Sequence, residues 1–214
     1  MFSVTEKEWE EETGVVLDKC ESELTYPIYI KPANMGSSIG ITEANSREEL
    51  VEGFNKALRY DRRVVVEQGI EARELNVSII GNTELKVSVV GELVKEKGHG
   101  FYDYEDKYVK RSAKQQYPAE VTEKEKALLQ EYSLKGFQAI DGNGMGRADL
   151  FMTEDGKVYL NEFNLIPGFF SKSIFARLWE HSGLSYTELM EELIRLGIEQ
   201  YEAKKRKDKQ VETV

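Results

Sequence analysis

The sequence is poor in soft metal ligands and short of positive charge. Cys20 is the only cysteine in 214 residues, which excludes an intrachain disulfide and a thiolate zinc site and fits a reducing compartment. The two histidines, His99 and His181, lie far apart, so a histidine-centred metal site is not expected and each reads as a surface or packing residue. No apolar run is long enough to cross a bilayer. The opening residues, MFSVTEKEWEEET, are acidic and polar and lack the apolar core of a secretory signal. Lysine and arginine number 29 against 39 aspartates and glutamates, for a net charge of −10. The pI of about 5.0 disfavours non-specific nucleic-acid binding, which needs a basic surface. Any anionic ligand must therefore be met by locally concentrated cations. With 40% hydrophobic and 32% charged residues, the composition predicts a soluble, globular, cytoplasmic protein with no membrane or nucleic-acid partner. The length suits one large domain or two small ones.

Among what is present, the stretch YPIYIKPANMGSSIGI, residues 26–41, is the first to carry chemistry. Ile28, Tyr29 and Ile30 read as a short strand closed by Lys31 and Pro32. Gly36, Ser37, Ser38 and Gly40 follow in a loop of small residues. Glycines let backbone N–H groups approach an anion, serine hydroxyls add donors, and lysine supplies a point charge suited to phosphate. In a Walker A loop the lysine follows the glycines, so this is not one. A phosphate site and a plain hairpin turn with a surface lysine both remain open on this stretch alone.

Further along, Ser46 and Glu49 stand in capping-box spacing before a helical face of Leu50, Phe54, Ala57 and Leu58. RRVVVEQGI holds an apolar strand ending at Glu67. RELNVSIIGN and ELKVSVVGEL predict two strands joined at Gly81 and Asn82. Residues 95–118 form a long, polar, tyrosine-rich segment, of a length more often functional than idle. Thr122 and Glu125 cap a helix carrying Leu128, Leu129, Tyr132 and Phe137. GMGRADLFMT and KVYLNEFN predict a strand pair across a turn at residues 154–156, and the loop NLIPGFFSKS follows. Ser185 and Glu188 open a last amphipathic helix through Leu189, Leu193 and Leu196. The basic run KKRK at residues 204–207 reads as a helix C-terminus, where cations meet the dipole favourably, rather than as a localisation signal. No internal repeat is visible.

The predicted strand pair holds the second chemical pattern. Glu162 and Asn164 are two residues apart and share a sheet face. Asp149 and Arg147, also two apart on the neighbouring strand, can face them. Two carboxylates and an amide oxygen make a hard oxygen site of the kind that holds Mg²⁺ completed by water and phosphate oxygens. The alternative is the exposed polar face of an edge hairpin. A guanidinium at Arg147 bridges carboxylate or phosphate bidentately, and the loop through Pro167 and Gly168 can offer an N–H to a reacting oxygen.

The motifs YIKPANMGSSIGI, VVVEQGIEAREL, FYDYEDKY, GRADLFM and LNEFNLIPGFFSKS, in this order and near this spacing, resemble the D-alanine–D-alanine ligases of the ATP-grasp superfamily. The resemblance spans roughly residues 26–198. It implies an α+β ATP-grasp fold of two subdomains with mixed or antiparallel sheets flanked by helices and the nucleotide between them. Residues 1–67 would be a remnant of the central subdomain and 68–214 the C-terminal catalytic subdomain. It further implies ATP as substrate and two Mg²⁺ (or Mn²⁺) ions. Lys31 matches the phosphate-contacting lysine, and Ser37 and Ser38 match the serines of the loop over nucleotide and substrate. Glu67, Gln68 and Ile70 match the adenine-reading hinge, and Glu74 the carboxylate on the ribose. Lys107 and Tyr108 match a closing loop, and Arg147 the arginine near the transferred phosphate. Asp149, Glu162 and Asn164 match the metal ligands. Gly168 and Ser173 match the oxyanion and acceptor-carboxylate groups. The implied reaction forms an acyl phosphate from one D-alanine and ATP. A second D-alanine, or D-serine, then attacks it, with Arg147 and the Gly168 N–H on the oxyanion, a contribution of roughly 3–4 kcal/mol per good donor. Tyr108 goes with amine acceptors in this family.

Departures from the family pattern bear on activity. The N-terminal α/β domain of the family, with a further ATP-binding lysine and a glutamate for the first D-alanine, has no counterpart in these residues. The expectation is a truncated ligase. Its partners would be D-alanine, ATP and a second chain or upstream segment supplying that domain, with a homodimer as a further arrangement. A non-catalytic or split nucleotide-binding remnant is the alternative. Leu165 and Phe170 stand where threonines are usual, and AIDGNGMGRAD is richer in glycine than the usual approach to the arginine.

Overall fold

The computed structural model describes residues 1–95 and 113–208. The chain divides into two compact units, one built on Met1–Glu71 and the other on Ala72–Val94 and the residues from Gln115 onward.

In the first unit the order is β1 (Phe2–Thr5), α1 (Glu6–Glu23), β2 (Ile28–Pro32), β3 (Thr42–Ala44), α2 (Arg47–Ala57) and β4 (Arg63–Gln68). The strands lie in the order β1-β4-β2-β3, every pair antiparallel. Ile28, Ile30, Val64 and Val66 point from the sheet into a core shared with Trp9, Val16, Leu17 and Cys20 of α1 and Leu50, Phe54 and Ala57 of α2. Trp9 stacks on Phe54 with ring centroids 4.3 Å apart, which fixes one helix against the other. Cys20 is fully buried, and burial pushes its thiol up to about 11, so it is an inert core residue. Because side chains alternate along a strand, Lys31 of β2 and Glu67 of β4 occupy the sheet face opposite this core.

The sequence reading places no element before residue 26, whereas the structure puts β1 and α1 there. Their signal is a complete capping box between Thr5 and Glu8. At α2 the expected box is half present: Ser46 accepts from the Glu49 N–H, but the Glu49 carboxylate accepts from the Asn45 N–H instead.

The second unit contains β5 (Arg73–Gly81), β6 (Lys86–Lys95), β7 (Ala113–Gln116), α3 (Glu123–Ala139), β8 (Gly144–Met152), β9 (Val158–Asn164), α4 (Ile174–His181) and α5 (Tyr186–Asp208). Its sheet runs β7-β6-β5-β8-β9, with β5 antiparallel to β6 and β8, and β8 antiparallel to β9. Gly81 closes the β5–β6 hairpin at φ +134, and a Cβ there would lie 2.0 Å from the Glu84 carbonyl oxygen, so only glycine fits. Leu75, Val77, Ala148, Leu150 and Met152 pack with Leu129 in one core beneath α3. On the other face, at the Gly81 end, Ile80 and Met145 pack with Phe175, Ala176 and Trp179 of α4 and Leu189 and Leu196 of α5. The glycine-rich approach to β8 has a packing cause. A Cβ at Gly142 or Gly146 would come within 2.5 or 2.6 Å of the fully buried Phe137 ring. Among the described residues, no helix is long and apolar enough to cross a membrane.

Glu192 of α5 accepts from Arg195 Nε at 2.7 Å and from Lys86 Nζ of β6 at 3.1 Å. These bonds, against the opposing effect of burial, draw its carboxyl from 4.5 down to about 2. A depressed folded-state value contributes stability that is present above the unfolded value and lost as pH falls through the folded one. Glu192→Gln is expected to lower unfolding stability by about 1–2 kcal/mol near neutrality. Urea melts of both proteins should converge as pH falls from 4.5 toward 2. A gap constant across that window would remove this role.

Candidate functional site

The polar row on the second unit's sheet is built from three strands. Register places Asn76 of β5 opposite Asp149 of β8, and Asp149 opposite Glu162 of β9. One step along, Ser78 faces Arg147, and Arg147 faces Asn164. A β-bulge decides this arrangement. Leu150 pairs with Leu160 but Asp149 pairs with Glu162, so Asn161 is the extra residue of β9. Without it Asn161 would stand opposite Asp149, and Glu162 would face the core side.

Asp149 and Glu162 are like charges directly opposed on one face, an arrangement that destabilises a sheet unless something neutralises it. Arg147 does so. Its Nε donates to Asp149 Oδ1 and its Nη2 to Oδ2, both at 2.7 Å, a bidentate pair with each side chain 17% exposed. Burial opposes the charged guanidinium, but the hydrogen bonds and charge of Asp149, together with Glu162, outweigh it, and the Arg147 pKa is raised above the ordinary arginine value. Asn164 Nδ2 donates to Asp149 Oδ2 at 2.8 Å and to Glu162 Oε1 at 3.3 Å. Asn76 Nδ2 donates to Asp149 Oδ1 at 2.6 Å. Tyr117, near Arg147, is a half-buried phenol pushed up to about 12 by desolvation, so it stays neutral.

Arg147, Asp149, Glu162 and Asn164 therefore form one hydrogen-bonded cluster. Sequence reasoning missed Asn76 and Ser78, whose signal is the i, i+2 polar spacing inside the apolar run of RELNVSIIG. For a divalent ion the donor chemistry fits: two carboxylates and an amide converge on one face, and Asn164 presents its oxygen when the amide turns over. Among the described residues no three His, Cys, Asp or Glu side chains group together. Water and phosphate oxygens suit the rest of such an ion's coordination.

In the first unit Lys31 and Glu67 form a salt bridge, with side chains 21% and 24% exposed. Gln68 is engaged locally. Its Nε2 donates to the Thr25 carbonyl at 2.7 Å and the Gly69 carbonyl at 2.9 Å, and its Oε1 accepts from the Thr25 N–H at 2.8 Å. Ser37 and Ser38 stand at φ +57 and +59, and the Ile39 N–H donates to the Gly36 carbonyl at 3.1 Å. That is the pattern of a type I′ turn, with serines where asparagine and glycine are usual. Left-handed backbone at two non-glycine residues costs about 1–3 kcal/mol each, and such strain clusters at ligand clamps.

Ile70 lies beyond the end of β4, and Glu74 lies on β5 opposite Leu93 and Phe151. Gly168 is exposed, and the Phe170 ring lies 3.8 Å from where its side chain would begin. Ser173 is buried as the N-cap of α4, accepting from the Ala176 N–H. Its hydroxyl thus has a structural role that the sequence reading did not foresee. Lys107 and Tyr108 lie outside the described residues.

Antiparallel sheets flanked by helices, with a carboxylate–arginine row on one of them, agree with an ATP-grasp fold. A family model described as the D-ala D-ala ligase C-terminus matches residues 1–195. The chain is 48% identical over 198 residues to a D-alanine–D-alanine ligase of Bacillus cytotoxicus, covering 92% of this chain and 54% of that protein. Among solved structures it is similar to a D-Ala:D-Ser ligase from Enterococcus faecalis, at 34% identity and a TM-score of 0.81, over 91% of this chain and 55% of that one. The D-alanine–D-alanine ligase structure from Coxiella burnetii shares the fold at 24% identity and a TM-score of 0.82, over 97% of this chain and 53% of that one. The chain belongs to the D-alanine–D-alanine ligase family, through its C-terminal part, and spans about half the length of the relatives it matches.

Removing Arg147 leaves two opposed carboxylates with no cation. Arg147→Ala is expected to destabilise the chain by roughly 2–4 kcal/mol. Adding Glu162→Gln to it should recover part of that loss. Urea denaturation of the single and double variants reads both effects, and a double variant less stable than Arg147→Ala alone would contradict the charge argument.

Proposed function

We propose that this chain carries the nucleotide- and metal-handling part of an ATP-dependent D-alanine–D-alanine ligase. That enzyme is a carboxylate–amine ligase working through an acyl phosphate in peptidoglycan precursor synthesis. The single observation that carries this reading is the cluster of Arg147, Asp149, Glu162 and Asn164 on one sheet face. The cluster offers a cation that binds phosphate bidentately and oxygens that bind a divalent ion.

On this reading Asp149, Glu162 and Asn164 hold Mg²⁺ or Mn²⁺, two ions in the loaded state. When bound, these ions offset charge between the triphosphate and the attacking carboxylate. Arg147 turns from Asp149 to the transferred phosphoryl group and then to the acyl oxygen. Lys31 pairs with ATP phosphates in place of Glu67, while Glu67, Gln68 and Ile70 line the adenine and Glu74 takes the ribose hydroxyls. Ser37 and Ser38 present donors from a strained turn. The Gly168 N–H stabilises the oxyanion as the amine of the second substrate attacks, and Lys107 and Tyr108 close over the reacting groups. Ser173, at the N-terminus of the helix it caps, receives the carboxylate of the second amino acid. D-alanine is the proposed acceptor; the similarity to a D-Ala:D-Ser ligase makes D-serine the second reading. Nucleotide and metal binding are proposed for these 214 residues. Ligation is proposed for the protein together with the remainder of its relatives' length, supplied upstream or by a partner chain, in the cytoplasm.

Calorimetry of the purified chain with Mg–ATP is expected to give saturable binding, weakened about tenfold or more in Asp149→Asn, in line with the loss of a charged ligand group. Added D-alanine should then release ADP where the whole ligase is assembled. Binding with no D-alanine-dependent ADP release from the assembled protein would reduce the chain to a nucleotide-binding remnant. No Mg–ATP binding at all would overturn the reading.

A further inference from the structure

Asn76 and Ser78 are buried polar side chains, 8% and 0% exposed, in a stretch of β5, residues 75–80, that is otherwise apolar. Burying such groups is costly unless they are hydrogen-bonded, so their presence calls for a cause. Asn76 meets the cost through Asp149, to whose Oδ1 it donates at 2.6 Å from the directly opposite register position. Among the described residues the Ser78 hydroxyl has no hydrogen-bond partner, and it stands opposite Arg147 on the same face.

The acceptor positions of Asp149 are taken by Arg147 Nε and Nη2, Asn164 Nδ2 and Asn76 Nδ2. A carboxylate has about four lone-pair sites, so this one is saturated by N–H donors. Three side chains share the task, and the reading above gives two of them another duty: Arg147 goes to phosphate, and Asn164 turns its oxygen to the ion. Once both let go, Asn76 is the one of the three donors still on Asp149. Asn76 is the donor with no other duty. It sits, 8% exposed, on a strand between β6 and β8.

We propose that Asn76 is a positioning residue that anchors Asp149 Oδ1, so that the carboxylate keeps its orientation when Arg147 and Asn164 leave it for phosphate and a divalent cation. The inference rests on the metal reading of the cluster. The buried Ser78 hydroxyl gives the departing guanidinium an acceptor on its own side of the sheet. Residues that orient a metal-binding group change metal affinity by about 10–100-fold when replaced.

The test uses Mn²⁺ as the probe, with free Mn²⁺ read by electron paramagnetic resonance during titration of the chain. Asn76→Val removes the donor, and Asn76→Thr has nearly the same shape but keeps a hydroxyl donor. The expected result is wild-type binding that Asp149→Asn abolishes. Binding should be at least tenfold weaker in Asn76→Val and largely recovered in Asn76→Thr, with urea midpoints confirming that each variant is folded. Wild-type affinity in Asn76→Val, or equal weakening in both Asn76 variants, overturns the anchoring role and leaves the metal site standing. A wild-type chain that binds no Mn²⁺, or binding untouched by Asp149→Asn, overturns the metal reading and the anchor with it.

Discussion

Two carboxylates, Asp149 and Glu162, face each other across β8 and β9, and the Arg147 guanidinium, two residues from Asp149, pairs with it and offsets the charge of both. Like charges opposed on a sheet repel, and the repulsion grows as water is removed. The fold of the second unit brings Asp149 and Glu162 together by inserting one bulged residue, Asn161, into β9. It then sets Arg147 against Asp149 in a bidentate pair. An apolar core beneath α3 fixes one face of these strands, and α4 and α5 cover the far end of the other. The polar row thus runs from the central strand β5 across β8 to the edge strand β9. Its charge is balanced by a side chain that is itself suited to leave for phosphate.

The first unit repeats the same physical device on a smaller scale. Alternation along β2 and β4 turns Lys31 and Glu67 to the face away from the Trp9–Phe54 core, where they pair with each other. A cation with a carboxylate beside it keeps its charge and orientation without a ligand, and a stronger anion can displace that partner. The neighbouring turn holds Ser37 and Ser38 in left-handed backbone. That conformation is costly for serine and persists only where the surrounding chain imposes it.

Much of this was legible in the sequence because it is local. Polar residues two apart share a strand face, so Arg147 with Asp149, and Glu162 with Asn164, could be paired from spacing alone. Capping signals at Thr122 and Ser185 mark the starts of α3 and α5, and both boxes form. What spacing does not contain is register. Counting back from the turn at residues 154–156 puts Asn161, not Glu162, opposite Asp149; the bulge that corrects this has no clear local signature. Asn76 joins the cluster through a strand pairing 73 residues away in sequence. In the linear chain it looks like an ordinary polar position. Ser173 illustrates the converse: a residue singled out by resemblance turns out to satisfy a helix N-terminus, a role that short polar residues before an apolar run often play. Two of the glycines before Arg147, Gly142 and Gly146, which read as a departure from the family, are explained by the Phe137 ring they accommodate.

The most direct measurement is anomalous diffraction from crystals of the chain grown with Mn²⁺ and a non-hydrolysable ATP analogue. A manganese peak bounded by Asp149, Glu162 and Asn164, with the Arg147 guanidinium moved off Asp149 toward phosphate oxygens, is the predicted result. Bound nucleotide with no metal at these side chains, and Arg147 still paired with Asp149, would contradict it.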